Sequence, residues 1–505
     1  MLVSGPAGPK ESTGIWVLPA AGGPLRKLEE NAWAAVMSPD DSRIVFHRGA
    51  GIWVVDAAGR EPRQLLAARP GYYFIEALAW SPDGRRIAFG RRSQAGDEFA
   101  IESLDLNTGR TAVILSDPKA GTFGAFCWAR DGRIIYARLE DPPNEKDSNL
   151  WDISVDPRTG QVRGQPRRLT NWGGFLFGSL AVSADGKRLF SVGMRYRSDV
   201  YLAALEGSGA RFTTPRRLTF EEWINRPTGW TRDSQAVLFY SDRNGDLDIF
   251  QQGVNTRQAQ AIVRGPEDKR DPRPSPDGRW ILYLAWPKEG GQVRTGEGRL
   301  MRVAVGGGPP ETVLRVAGYP GPARVEPEGS SPALTVTGHP RFRCPAVPQS
   351  PCVLSEQAQN QVVFTAFDPV EGRKGELTRI DGDLSSPAFW DLSPDGRWIA
   401  FATRAETSSR IRLLSLVGQG PHEISAGGWT QLQSVAWAAD GKALFVTGWA
   451  SKDPPLLRVS LEGKAQLLYK GHHRLENLVP SPDGRYLAFA DMELEGNAWV
   501  IENFR

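Results

Sequence analysis

One tetrapeptide organises the chain. Ser81-Pro82-Asp83-Gly84 recurs unchanged as Ser275-Pro276-Asp277-Gly278, Ser393-Pro394-Asp395-Gly396 and Ser481-Pro482-Asp483-Gly484. Looser copies stand at Ser38-Pro39-Asp40-Asp41, Ala129-Arg130-Asp131-Gly132, Ser183-Ala184-Asp185-Gly186, Thr231-Arg232-Asp233-Ser234 and Ala438-Ala439-Asp440-Gly441. Proline presets φ for the second position of a type I turn, aspartate bonds its own backbone, and glycine accepts the left-handed conformation a hairpin bulge needs. The flanks are β-branched and aromatic, as in Trp280-Ile281-Leu282-Tyr283-Leu284, so each copy marks the turn of a β-hairpin.

The turn aspartates fall at 40, 83, 131, 185, 233, 277, 395, 440 and 483. The one long gap, from Asp277 to Asp395, holds a further repeat without the motif, with Val362-Val363-Phe364-Thr365-Ala366 as its outgoing strand. That makes ten hairpins. A period in the forties with four short strands per repeat is the pattern of a propeller blade. Third strands carry an aromatic or apolar run, as in Ile52-Trp53-Val54-Val55, Leu150-Trp151-Asp152-Ile153, Val200-Tyr201-Leu202 and Ala498-Trp499-Val500-Ile501. Fourth strands read Pro166-Arg167-Arg168-Leu169-Thr170 or Pro215-Arg216-Arg217-Leu218-Thr219. Their arginines match the usual protection of an outermost strand against edge pairing, so they do not argue for nucleic acid. Trp80, Trp128, Trp230 and Trp437 end inner strands and are expected to pack blade against blade. Residues 306–351, rich in Gly and Pro, read as long loops around a degenerate blade. No segment has sustained helical periodicity.

The expected fold is therefore all-β: a β-propeller of about ten four-stranded repeats. The last repeat has three strands, and a ring closes when a strand from its other end completes it. If Pro215–Thr219 does so, residues 213–505 form a six-bladed propeller closed near 215–219, and residues 1–212 form a first propeller lacking material upstream. If Pro24–Leu28 does so, one ten-bladed ring results. Rings of four to eight blades favour two rings. Leu2-Val3 reads as the tail of a blade strand, so the chain is expected to begin inside a repeat of a longer protein.

With 40% hydrophobic and 24% charged residues the chain can bury a large core, and a net charge of +3 says little about partners, being far from the basic excess of a nucleic-acid binder. Three cysteines make no disulfide framework. Cys344 and Cys352 could pair in an oxidising compartment or be two free thiols, and Cys127 reads as a core residue. No apolar run is long enough to span a membrane, and the N-terminus has no secretory-signal pattern.

The run Ser-Pro-Asp-Gly-Arg followed by aromatic and aliphatic residues, with Ser241-Asp242-Arg243-Asn244-Gly245-Asp246-Leu247-Asp248-Ile249-Phe250, resembles the repeat of TolB-type bacterial propellers over nearly the whole chain. More narrowly it is similar to the sensor propeller behind a bacterial serine/threonine kinase domain or winged-helix regulator. That resemblance implies a periplasmic or extracytoplasmic module that binds a protein, peptide or small ligand for an upstream effector domain, whose own motifs are absent here.

No Gly-x-Ser-x-Gly pentapeptide occurs, and none of the five histidines stands beside an evident nucleophile, so the chain is not expected to be an enzyme. The alternative is a carbohydrate-active lyase or hydrolase using carboxylates in a propeller channel, although acidic pairs such as Asp97-Glu98 and Glu221-Glu222 read as solvated loop charges. Asp242, Asn244, Asp246 and Asp248 alternate as in a calcium loop, without its distant bidentate glutamate, and serve equally as an Asn-Gly hairpin. Loops leading into inner strands are aromatic and charged. Tyr73, Trp172, Phe175, Trp223, Arg226, Trp429 and His472 are the candidate ligand-binding face.

Overall fold

The computed structural model describes the chain except residues 1, 6–13, 19–22, 94–97, 122–123, 142–146, 208, 210, 221–222, 290–291, 294–296, 318–339, 349, 359–360, 382–389, 404–409, 449–452 and 503–505. Asp97, Glu221, Glu222 and most of the proline-rich stretch lie outside the described residues. The described elements are all β-strands, in antiparallel sheets that are mostly four-stranded and ordered along the chain. The propeller blade is thus the unit of the fold.

The turns form as their chemistry dictates. In the copy at 81–84 the Ser81 hydroxyl donates to Asp83 at 2.7 Å and accepts from the Arg86 amide at 2.8 Å. The Gly84 amide donates to the Ser81 carbonyl at 2.9 Å, and Gly84 sits at φ +67°. Where glycine is replaced, Asp41 and Ser234 still adopt φ +58° and +60°. The turn geometry therefore overrides the side-chain preference, at a cost of about 1 kcal/mol each.

Two compact units result. Unit 1 comprises Met1–Arg195 with Glu495–Arg505, and unit 2 comprises Tyr196–Ala323 with Thr335–Leu494. The sequence reading set its boundary at residue 212.

In unit 1 a three-stranded sheet (Leu2–Gly5, Gly14–Val17, Arg26–Glu30) precedes four-stranded blades at 32–67, 72–116 and 126–168. Leu2–Gly5 pairs with Gly14–Val17 as a blade strand. A further sheet takes Leu176–Val182, the first half of Arg188–Glu206 and the end of Tyr486–Glu502.

In unit 2, blades at 225–263, 268–316, 341–381, 390–425 and 432–470 are followed by a closing blade. The closing blade combines Arg474–Pro480 and the first half of Tyr486–Glu502 with the second half of Arg188–Glu206 and Arg216–Arg217. Tyr201 and Leu202 pair with Arg217 and Arg216, so the segment expected to complete a blade, Pro215–Thr219, lies on this outer edge.

Two expected hairpins are not made. Val200-Tyr201-Leu202 and Ala498-Trp499-Val500-Ile501 were expected as separate third strands. Instead Arg188–Glu206 and Tyr486–Glu502 each run unbroken, for 19 and 17 residues, and pair with one another. No turn residues interrupt Val192–Asp199 or Ala490–Gly496 strongly enough to reverse the chain, and a partner strand of equal length rewards continuation.

In the blade at 341–381, Gln361–Asp368 is the third strand rather than the outgoing second one. The second is Cys352–Ala358, and the inner turn before it lacks the serine-aspartate motif. There Cys344 and Cys352 form a disulfide, with Cα atoms 4.2 Å apart.

Trp80, Trp230 and Trp390 lock successive blades by hydrogen-bonding a neighbour's backbone or side chain, whereas Trp128 and Trp437 pack between blades with buried indole nitrogens that bond no described group. The Trp80 indole donates to the Val36 carbonyl at 3.1 Å and that of Trp390 to the Ser355 hydroxyl at 2.9 Å. At the closure of unit 2, Trp230 donates to the Val479 carbonyl at 2.8 Å. The core around it takes Val200, Leu202 and Leu218 from one chain segment and Val479 and Ala488 from the other. Trp230→Ala should therefore destabilise unit 2 by about 3–5 kcal/mol, measured as the shift of its denaturant midpoint.

Candidate functional site

Inner strands are bulged, and the bulges decide what faces each blade's inner edge. Register slips occur in unit 2 between Pro227 and Gly229, Arg270 and Arg273, Leu432 and Ser434, and Glu476 and Val479. Asp271 and Asn477 hold φ +53° and +52° there, away from the ordinary strand region. A bulge sets two residues opposite one and bends the strand, re-aiming side chains. In unit 2 each bulge holds a polar residue, Thr228, Asp271, Gln433 or Asn477, joined by Pro272 and Leu478 in the two wider ones. In unit 1 the equivalents are Ala34 and Ala35, Ile75 to Ala77, and Ser179. In unit 2 charged side chains flank the bulges and meet one another.

The axis of unit 2 gathers side chains from all six of its blades. Arg226 Nη1 lies 3.5 Å from Glu476 Oε2. Glu476 also receives Gln433 Nε2 at 2.5 Å and Arg474. Arg270 grips Asp268 Oδ2 through Nε and Nη2 at 2.9 and 2.7 Å. Arg343 Nε donates to Asp391 Oδ1 at 3.0 Å, while Asp391 Oδ2 accepts the Trp437 amide at 2.9 Å. Arg341, on the blade at 341–381, interacts electrostatically with Asp271 of one blade and Glu476 of the closing blade. The strands are ordered so that these groups converge.

Burial, followed by the neighbouring Arg343, pushes the Arg273 guanidinium down to about 9. Burial likewise lowers Arg341, with Asp271 working against the shift and Arg343 with it. Tyr240, fully enclosed near Arg226, Arg270 and Arg341, has its hydroxyl raised by burial.

Above the axis stand the loops that lead into the inner strands. The Trp223 ring is 44% exposed, and its backbone is fixed: Asn225 Nδ2 donates to the Trp223 carbonyl at 3.2 Å, and Arg243 holds Asn225 Oδ1 at 2.9 Å. His472 is exposed. Next to it, His473 Nδ1 lies 2.9 Å from Asp491 Oδ1 and His473 Nε2 lies 3.6 Å from Glu493. Burial raises the Asp491 carboxyl, partly offset by His473. Trp429 packs against the core of the blades at 390–425 and 432–470 instead of standing free.

In unit 1, Trp172 and Phe175 come together. Trp172 is 37% exposed, with its ring 5.6 Å from that of Phe177 and 5.8 Å from that of Trp499. Phe175 meets Trp499 edge-on at 5.5 Å. Asn149, buried, clamps the loop: its Oδ1 accepts the Trp172 amide at 2.8 Å and its Nδ2 donates to the Trp172 carbonyl at 3.0 Å. Tyr73 lies on another blade, paired across strands with Arg92. Trp499 completes this cluster only because Tyr486–Glu502 continues unbroken, which the sequence reading did not foresee. The channel arginines other than Arg226 also went unremarked. Their signal was a charged run, Asp268-Lys269-Arg270-Asp271-Pro272-Arg273, in place of an apolar inner strand.

The alternating run 242–248 forms a hairpin in which Asn244 pairs with Asp246 and Gly245 takes φ +94°. Its side chains have protein partners. Asp242 Oδ1 accepts the Ile224 amide at 2.8 Å, and Asn244 Nδ2 donates to Asp248 Oδ2 at 3.0 Å. Lys288 reaches Asp246 at 2.5 Å and Lys269 reaches Asp248 at 3.1 Å. Among the described residues no group of three or more His, Cys, Asp or Glu is placed to hold a metal ion. With lysine ammoniums seated on Asp246 and Asp248, equal melting temperatures in calcium and in chelator are expected. A calcium-dependent rise would reassign these four residues as ligands.

No family model matches the chain. A curated relative, the uncharacterized protein Atu1656 of Agrobacterium fabrum (strain C58), is 24% identical over 222 residues, 42% of this chain and 65% of its own length. The chain thus spans less than two thirds of that relative. Among solved structures, an oligogalacturonate lyase in complex with manganese is 15% identical, covering 74% of this chain and 83% of its own, with a TM-score of 0.30. TolB from Acinetobacter baumannii is 14% identical, covering 76% and 80%, with a TM-score of 0.23. The propeller domain of the trilobed protease from Pyrococcus furiosus is 15% identical, covering 62% and 93%, with a TM-score of 0.27. The chain is similar to propellers that are enzymes and to propellers that are not, and at these identities the likeness is one of fold alone.

Proposed function

We propose that the chain is a non-catalytic binding module whose ligand, a protein, peptide or small molecule, is received at the mouth of the unit 2 axis. One observation carries the reading. Charged side chains from five blades, with Gln433 from the sixth, converge on one axis, and its carboxylates Asp268, Asp391 and Glu476 are each engaged by arginine or a backbone amide. A general base needs a proton-accepting carboxylate directed at substrate, whereas these are committed to holding arginines in place. Trp223, exposed on a fixed backbone beside Arg226, supplies an aromatic anchor of the kind that dominates binding energy.

The disulfide Cys344–Cys352 supports an oxidising, extracytoplasmic setting. The part such a module would play as sensor or docking element of a bacterial envelope or signalling protein rests on the resemblance of its repeats. An enzymatic reading, a lyase or hydrolase, has one observation in its favour, the His473–Asp491 pair beside Glu493. Among the described residues no serine, threonine or cysteine hydroxyl or thiol is hydrogen-bonded to His473.

A panel of peptides, oligosaccharides and small metabolites, read by tryptophan fluorescence and in parallel for turnover, separates the two readings. Binding without turnover is expected, weakened about tenfold or more by Trp223→Ala. Turnover of any panel member, abolished by His473→Ala, would replace the binding module with an enzyme.

A further inference from the structure

The inner turn that lacks the serine-aspartate motif does more than reverse the chain. In the blade at 268–316 residues 275–279 join the first two strands, whereas in the blade at 341–381 the longer segment 344–351 does so. The Cys344–Cys352 disulfide closes that segment at its base. The loop also reaches beyond its own blade. The Ala346 amide donates at 2.9 Å to the Pro394 carbonyl, in the turn of the blade at 390–425. Pro345 lies so near Gly396 that a Cβ there would stand 3.3 Å from it. On the other side, the Ala346 carbonyl accepts both Nη atoms of Arg232, each at 3.2 Å, from the turn of the blade at 225–263. Arg232 also donates at 2.6 Å to the Pro276 carbonyl, in the turn of the blade that lies between. Through Ala346 and Arg232 the disulfide loop joins the turns of four of the six blades.

The strand that enters this loop, Arg341–Arg343, has three residues, paired with Ser355, Leu354 and Val353. Its last residue carries the ion pair to Asp391. Ala346 and Arg232 are exposed, so their hydrogen bonds compete with water and each adds little. The disulfide is the covalent restraint, and it acts by denying the loop ends their freedom. Cys344 is half-buried, whereas Cys352 is enclosed in the core shared by the blades at 268–316 and 341–381. Access decides which sulfur a thiol attacks, and here it favours Cys344.

We propose that the Cys344–Cys352 loop is a redox-sensitive clasp at the turn end of unit 2. Oxidised, it fastens the blade at 341–381 to the turns of its neighbours; reduced by a dithiol, it lets go of them while the blades stay folded. A thiolate of the dithiol attacks the Cys344 sulfur, the S–S bond breaks, and Cys352 leaves as a thiolate that takes a proton from water. The second sulfur of the dithiol, as thiolate, then displaces Cys344, which is protonated in turn. Two electrons pass to the protein, and the dithiol ends as its own disulfide. The clasp is a property of the ring and stands apart from the binding reading.

The experiment is native-state hydrogen exchange, read by mass spectrometry, on the full chain before dithiothreitol, after it, and after re-oxidation. Reduction is verified by alkylation in denaturant, where free thiols rise from one, Cys127, to three. Peptides spanning 341–347 and 390–396 are expected to exchange about ten- to 100-fold faster once reduced. Those of the blade at 72–116 stay unchanged, and re-oxidation restores the first pattern. The double variant Cys344→Ser/Cys352→Ser should match the reduced chain. Arg232→Gln, with the disulfide intact, removes one tie alone and should speed 341–347 by about two- to tenfold.

Unchanged exchange after complete reduction would overturn the proposal. So would a disulfide that resists dithiothreitol until the chain is denatured, because a clasp must open in the folded protein. Loss of protection in every blade of unit 2 on reduction would make the bond a structural staple and refute the switch.

Discussion

A sheet edge that is left unpaired is a liability, and a ring of sheets cannot close while its last sheet lacks strands. Unit 2 meets this constraint by composing its closing blade from two distant parts of the chain. Arg474–Pro480 and the start of Tyr486–Glu502 arrive from one end, the end of Arg188–Glu206 with Arg216–Arg217 from the other. Because the donated strands precede the first blade of the unit, first and last blades are fastened together by the chain itself. Trp230 and the Val200–Leu202–Val479 core add packing to that fastening. The same two strands continue into unit 1, where Trp499 reaches Trp172 and Phe175.

The charged axis is a consequence of closure. Arg226 and Glu476 lie 250 positions apart in sequence and meet because the first blade follows the last around the ring. Opening the ring would separate Arg226 from Glu476 and admit water to Tyr240, Arg273 and Arg341, whose shifts come first from burial. Bulges in the inner strands then select which residues face inward. In unit 2 each bulge carries a polar residue, Thr228, Asp271, Gln433 or Asn477, beside the charged groups of the axis.

Much of this was legible in the residues. The Ser-Pro-Asp-Gly turns carry their geometry locally, in a hydroxyl, a carboxylate and a positive φ, so the all-β class and the blade repeat follow from them. Pro215–Thr219 could be proposed as an edge strand because its proline and arginines mark one. The two long strands could not be read. Alternation of apolar and polar residues is the same whether a strand continues or turns back, and the decision rests on a partner nearly 300 positions away. Arg273, Arg341 and Arg343 were equally hidden: Arg273 follows a bulge at Asp271 and Pro272, and the short strand of Arg341 and Arg343 lacks the turn motif that marks inner strands elsewhere. Trp223 and His472 are exposed, as their loop position implied, whereas Trp429 is partly buried against the core, a packing that loop position does not reveal.

Native-state hydrogen exchange on the full chain tests the shared-strand closure most directly. Amides of Val200–Leu202 and of Leu487–Ala490 should exchange together, at the slow rate set by global unfolding of unit 2, as interior strands of one sheet do. Exchange of either segment at the rate of loops or edge strands, with the other still protected, would contradict a blade built from both.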